Sequence, residues 1–148
     1  MTTRNDLFEI TDDFVRSMPK ADLHCHLDGS LRVDTILDLA RAEGIPLPAD
    51  NHDGIREAVH AGKDCEDLVD YLKAFDITCK VLQTETALRR VAFELGEDSA
   101  AENVRYLEVR YAPILHTVRG LRLDQIVEAV LDGLHDAEER YDIKTGLI

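Results

Sequence analysis

Ala21-Asp22-Leu23-His24-Cys25-His26-Leu27-Asp28 is the stretch on which both the fold and the chemistry of this chain turn. Polar and apolar residues alternate along it. In an extended strand successive side chains point to opposite faces, so Asp22, His24, His26 and Asp28 are expected on one face. Leu23, Cys25 and Leu27 are expected on the other, where a helix could cover them. A buried strand of a parallel sheet is normally apolar on both faces. A row of carboxylates and imidazoles must therefore be satisfied by something, and a divalent metal does so economically. Two neutral imidazoles two positions apart can converge on one ion, and zinc accepts nitrogen ligands at about 2.0 to 2.1 Å. The same parity leaves Cys25 out of the ligand set, as a small buried hydrophobe. With six histidines in the chain, a chance His-x-His pair is the competing reading of these two residues alone.

Outward from this stretch, residues 1–18 read as a polar leading segment, and Pro19 and Lys20 open a short strand that runs to Leu27. Val33, Ile36, Leu37 and Ala40 recur at helical spacing, and Gly44 and Pro46 close that helix. Residues 45–53 carry two prolines, Asn51 and Asp53 and read as a loop before a weak helix around Ile55 to Val59. Leu68, Leu72, Phe75, Cys79 and Leu82 form one stripe of a longer helix, and Leu88, Val91, Ala92 and Leu95 repeat the pattern. Val104 to Tyr111 is rich in Val and Tyr and reads as a strand limited by Pro113. Leu123, Ile126, Val127, Val130, Leu131 and Leu134 mark a further amphipathic helix, and residues 143–148 a third strand.

Strand, helices, strand, helix, strand calls for an α/β fold with a parallel sheet, because crossover helices return the chain to start each new strand. Two architectures fit: a doubly wound sheet, or the opening units of a barrel of eight parallel strands. A glycine-rich phosphate loop after the first strand would favour the doubly wound sheet. Asp28-Gly29-Ser30 follows instead, with a single glycine.

Bulk properties narrow the function classes. At 148 residues and 45% hydrophobic, the chain can build one domain, or part of one, with a substantial core. A formal charge of -13 repels polyphosphate and anionic lipid, so neither nucleic acid nor membrane is an expected partner. Cys25, Cys65 and Cys79 form no Cys-x-x-Cys pair, which argues against a disulfide framework and for a reducing cytoplasm. Residues 1–10 lack the apolar run of a secretory signal. In the second strand Val104, Tyr106, Glu108 and Arg110 are expected on one face and Leu107 and Val109 on the other. Glu108 and Arg110 read as a supporting ion pair, without a catalytic role.

Met18 to Arg32 (MPKADLHCHLDGSLR) closely resembles the first-strand signature of the adenosine deaminase family, and Tyr106 to Pro113 (YLEVRYAP) resembles that family's second strand. The likeness extends over residues 18–148. It implies a TIM-type (β/α)₈ barrel of which residues 19–148 form the amino-terminal part, roughly three of eight units, cut at the third strand. It also implies a zinc ion (Zn2+) held by His24 and His26 and a substrate site including His26, Asp28 and Gly29, with Asp28 on a ribose hydroxyl. Gly29 is expected to permit a tight bend. Leu68, Tyr71, Leu72 and Phe75 resemble an apolar lid over a purine pocket, although a stripe at helical spacing is also how a plain core helix looks.

The activity implied by the resemblance is hydrolytic deamination of adenosine and 2'-deoxyadenosine to inosine and ammonia. In it zinc lowers the pKa of a water that attacks C6 of the adenine ring. The remaining ligands and the catalytic glutamate are expected on later strands, so no catalytic residue is assigned here. This chain alone is expected to be inactive, to hold zinc poorly, and to associate through unpaired sheet edges. Three alternatives stay open: a related purine deaminase acting on adenine, AMP or aminofutalosine, another metal-dependent amidohydrolase, or a non-catalytic truncated barrel that serves as a binding or assembly partner. His52, His60, His116 and His135 are placed in loops or on helix surfaces, without chemistry.

Overall fold

The computed structural model describes residues 10–59 and 68–148. Its elements run α1 (Asp12–Ser17), β1 (Lys20–His26), a one-turn 3₁₀ segment (Leu27–Gly29), α2 (Val33–Glu43), α3 (His52–Val59), α4 (Leu68–Val81), α5 (Glu85–Ala101) and β2 (Val104–Arg110). A second 3₁₀ turn (Pro113–His116), α6 (Leu123–Arg140) and β3 (Lys144–Leu147) complete it. The leading segment is thus partly helical. Thr11 caps α1 by accepting a hydrogen bond from the Phe14 amide at 3.2 Å, and Asp12 and Asp13 occupy its first turn, where the helix dipole favours negative charge. Gly44 ends α2 in the left-handed conformation, φ 63°, which a glycine adopts without a Cβ clash. The third strand is shorter than expected: Ile143 precedes it and is buried in the core.

The three strands are parallel in the order β1-β2-β3. Leu27, Leu88, Val91, Leu95, Val104, Leu107, Val109, Ile126, Val130 and Leu134 form one continuous core, in which α5 and α6 cover one side of the sheet. The opposite side carries His24, His26, Glu108 and Arg110. A doubly wound sheet is covered by helices on both faces, whereas a barrel turns one face inward, where its site lies at the carboxyl ends of the strands. The chain is accordingly part of a barrel.

Strict alternation fails in two places. Lys20 stands opposite Val104 and Ala21 opposite Tyr106, so Arg105 is an extra residue on β2, as in a bulge. The slip puts Val104 into the core with Leu107 and Val109, not on the polar face. On β1, Asp22 stands opposite Leu107 and Cys25 opposite Val109, so Asp22 is out of phase with the two histidines. Leu23, expected beneath a helix, is 56% exposed.

Helix α5 lies against α2 through Glu94, a buried carboxylate that accepts from Thr35 Oγ1 at 2.6 Å and from Arg90 Nε at 2.8 Å. Arg32 bridges the loop before α2 to Glu97 (2.6 Å) and Asp98 (2.5 Å), and Tyr141 donates to Glu97. Helices α5 and α6 approach closely at Gly133. A Cβ there would collide with the Arg89 carbonyl and stand 2.9 Å from Ala92 Cβ. Gly133→Ala is therefore expected to force the pair apart and to destabilise the protein by about 1 to 3 kcal/mol, the cost of overpacking, read as a lower midpoint in urea unfolding.

Candidate metal and substrate site

The site is assembled where β1 and β2 end. On β1 the His24 and His26 rings lie 5.3 Å apart between centroids with a 35° interplanar angle. They share one side of an extended segment, as two imidazoles converging on one ion require. Both are open to solvent, His26 with 52% of its side chain exposed. The Asp22 carboxylate turns back on its own chain and accepts from the His24 amide at 3.0 Å. Cys25 faces the core, half-buried, with Sγ 3.5 Å from Ser30 Oγ.

Asp28 is not on the strand. The backbone leaves β1 at His26 and winds through the 3₁₀ turn, whose Leu27 is fully buried in the core. This carries Asp28 inside, 4% exposed, with Oδ1 3.7 Å from His26 Nδ1 and without a hydrogen-bond partner. Ser30 Oγ braces the turn by donating to the His26 carbonyl at 2.6 Å. Gly29 does not have a positive φ, so the expected bend is not its role. A Cβ there would meet the Phe75 ring at 3.4 Å, an ordinary contact distance.

Phe75 of α4 also stands edge-on to His26, 6.5 Å between centroids at 79°. Leu72 is exposed on the same helix. Leu68 and Tyr71 fall within α4, and their side chains lie outside the described residues. Across the sheet, Arg110 stands opposite His26 in register, its Nε buried and unpartnered. Glu108 accepts from the Tyr106 hydroxyl at 3.1 Å, which pushes that phenol's pKa up. The expected Glu108–Arg110 ion pair is not formed among the described residues.

His116 is where sequence reasoning missed. Far from lying on a surface, it is fully buried in the 3₁₀ turn after β2, with Nδ1 3.0 Å from the Leu82 carbonyl. Tyr111 stacks on it at 5.8 Å. Burial pushes the His116 pKa down against the pull of the Asp28 charge, and burial pushes Tyr111 up to about 12. The available signal was its place just beyond the carboxyl end of a barrel strand. His135 is exposed on α6, 3.5 Å from Glu139, His52 is exposed at the start of α3, and His60 lies outside the described residues.

Two imidazoles and one buried carboxylate make a partial donor set. Among the described residues no group of three or more His, Cys, Asp or Glu is placed to hold a metal ion. A catalytic zinc takes three protein ligands and leaves a position open. The His24–His26 pair thus fits part of such a site, and the chemistry of its nitrogens suits zinc.

The sequence profile of the adenosine deaminase family matches residues 19–148. An adenosine deaminase from Clostridium botulinum is 53% identical over 133 residues, covering 90% of this chain and 40% of its own length. The structure of an adenine deaminase from Arthrobacter aurescens superposes with a TM-score of 0.77 at 33% identity, over 87% of this chain and 38% of that one. An amidohydrolase from Burkhoderia ambifaria with bound Zn gives 0.76 at 29% identity, over 97% and 39%. The chain therefore spans about 40% of the curated relative it matches.

The thiol environment beside this site is directly measurable. Burial first, then the nearby charges of Asp28 and Asp76, push Cys79 up to about 11, and burial raises Cys25. A raised thiol pKa leaves little thiolate at neutral pH, and the thiolate is the nucleophile. Iodoacetamide at pH 7.5 is expected to modify Cys25 and Cys79 far more slowly in the folded chain than in urea, read peptide by peptide by mass spectrometry. Equal rates in both states would contradict this environment.

Proposed function

The chain belongs to the adenosine deaminase family, and from that premise we propose that it supplies the first part of a zinc-dependent deaminase converting adenosine and 2'-deoxyadenosine to inosine and ammonia. The observation that carries the reading is the pair of imidazoles, 5.3 Å apart on one side of β1, at the strand end where barrel enzymes place their chemistry. Bound zinc would supply Lewis acidity and lower the pKa of a water. His24 and His26 would hold it in part. Asp28, in the turn just beyond, is suited to accept a hydrogen bond from a sugar hydroxyl, because both oxygens of a carboxylate accept and an enclosed one left without donors is costly. Gly29 keeps the floor of that turn low, and Phe75, with Leu72 on the same helix, gives an apolar wall against which a purine could lie. This wall is what survives of the lid reading among the described side chains.

The cytoplasm is the proposed compartment. Cys25 and Cys79 are free thiols, the state a reducing compartment maintains, and the charge of -13 disfavours anionic surfaces. A second reading, deamination of adenine in place of the nucleoside, draws support from the Arthrobacter aurescens structure. In that case Asp28 would have no ribose to hold.

Two ligands do not complete a catalytic zinc site, so this chain by itself is proposed to be inactive and a weak zinc binder. Incubated with zinc and adenosine, it is expected to release no ammonia above background. The double variant His24→Ala/His26→Ala should abolish whatever zinc binding calorimetry detects. Fused to the remainder of the Clostridium botulinum relative, it is expected to deaminate adenosine well above adenine or AMP, with activity lost on treatment with a strong chelator. Turnover by the monomeric 148-residue chain would overturn the first expectation, and a preference for adenine would install the second reading.

A further inference from the structure

Beneath Asp28 the end of α4 and the turn after β2 are stitched together by side chains. Gln83 Nε2 donates to the Cys79 carbonyl at 2.7 Å and to the Leu115 carbonyl at 2.9 Å. The neighbouring pair, Leu82 and His116, is joined by the 3.0 Å contact between the Leu82 carbonyl and Nδ1. A carbonyl oxygen only accepts, so Nδ1 must carry the ring proton, and in a neutral imidazole Nε2 is then a bare acceptor. Burial keeps the ring neutral. Nε2 is itself buried without a partner, and so are Asp28 Oδ1, Gln83 Oε1 and the Tyr111 hydroxyl.

The composition of this group is lopsided. Asp28 Oδ1, His116 Nε2 and Gln83 Oε1 can only accept, whereas the Tyr111 hydroxyl and Arg110 Nε, the other buried atoms without a partner, bring one donor each. Buried polar atoms in folded proteins are almost all partnered, and a buried acceptor left unmatched costs roughly 1 to 3 kcal/mol. A small group with two donors satisfies two acceptors at once, and a water in a polar pocket with two to four partners does this.

We propose that His116 is a positioning residue for Asp28, the two joined by a buried water that donates one hydrogen bond to His116 Nε2 and one to Asp28 Oδ1. The proposal rests on the reading of Asp28 as the carboxylate that meets the substrate. Tyr111, stacked on the ring, holds the imidazole in plane, and the Leu82 carbonyl holds its tautomer. One Asp28 oxygen is thereby committed to the protein and the carboxylate's rotation is fixed, so its second oxygen meets a hydroxyl in a set direction. The device is uncharged at His116, and it orients without neutralising the carboxylate.

The test is nitrogen-15 magic-angle-spinning NMR of histidine-labelled 148-residue chain, sedimented so that association does not interfere. Sequential assignment through Thr117, or the loss of one ring signal in His116→Gln, identifies the ring. The expected result is a protonated Nδ1 and an unprotonated, hydrogen-bonded Nε2, with Asp28→Asn shifting the Nε2 line and leaving those of exposed His52 and His135 in place. A proton on Nε2, or a His116 ring indifferent to Asp28→Asn, would overturn the proposal. This readout involves no turnover. An inactive fusion protein with the expected ring signals would therefore defeat the deaminase reading alone, whereas wrong ring signals in an active one would defeat the positioning role alone.

Discussion

The pairing of β1 with β2, under one layer of helices, is the constraint from which the rest of this structure follows. Leu107 and Val109 of β2 and Leu27 just beyond β1 are fully buried against α5 and α6. Each such side chain is worth about 1.5 to 3 kcal/mol relative to exposure. Because a pleated strand offers its residues to two sides, fastening one side to the helices presents the other, with His24, His26, Glu108 and Arg110, away from them. The core does not merely stabilise the site. It determines which way the imidazoles point.

The turn at Leu27–Gly29 converts that arrangement into a place where a small molecule could be held. A continued strand would have left Asp28 on the open face beside the histidines. Instead Leu27 drops into the core and the tightened 3₁₀ backbone draws Asp28 inside. Burying a carboxylate without a full set of hydrogen bonds is costly. The cost is tolerated because the surrounding elements are pinned by Gln83, the Leu82 carbonyl and Ser30. Strain of this sort tends to collect at functional sites. The layer behind is correspondingly rigid: Glu94 is satisfied by Thr35 and Arg90, and α5 and α6 meet with no room for a methyl group at Gly133.

Much of this was legible in the amino-acid order. The two-residue period of 21–28 placed His24 and His26 on a common side, and the helical stripes and the Gly44 stop located α2, α4, α5 and α6. The resemblance of residues 18–32 and 106–113 to adenosine deaminases pointed to a barrel, and the family match over residues 19–148 bears it out. These are local features: strand alternation, helix periodicity and caps depend on neighbours within a few positions.

What only the tertiary structure decided depends on elements far apart in sequence. Bulges are set by the register between two strands, so neither the inward turn of Val104 nor the phase of Asp22 could be read from either strand alone. His116 is buried because Leu82 and Tyr111 close over it, contacts that no single-segment pattern contains. Gly29 lies against the Phe75 ring, a neighbour 46 positions away that a Cβ there would meet at 3.4 Å. Sequence by itself determined which residues could carry the chemistry, since side-chain type and spacing are one-dimensional. Packing decided which of them are open, which are enclosed and what each one faces, because those are properties of surfaces brought together from separate parts of the chain.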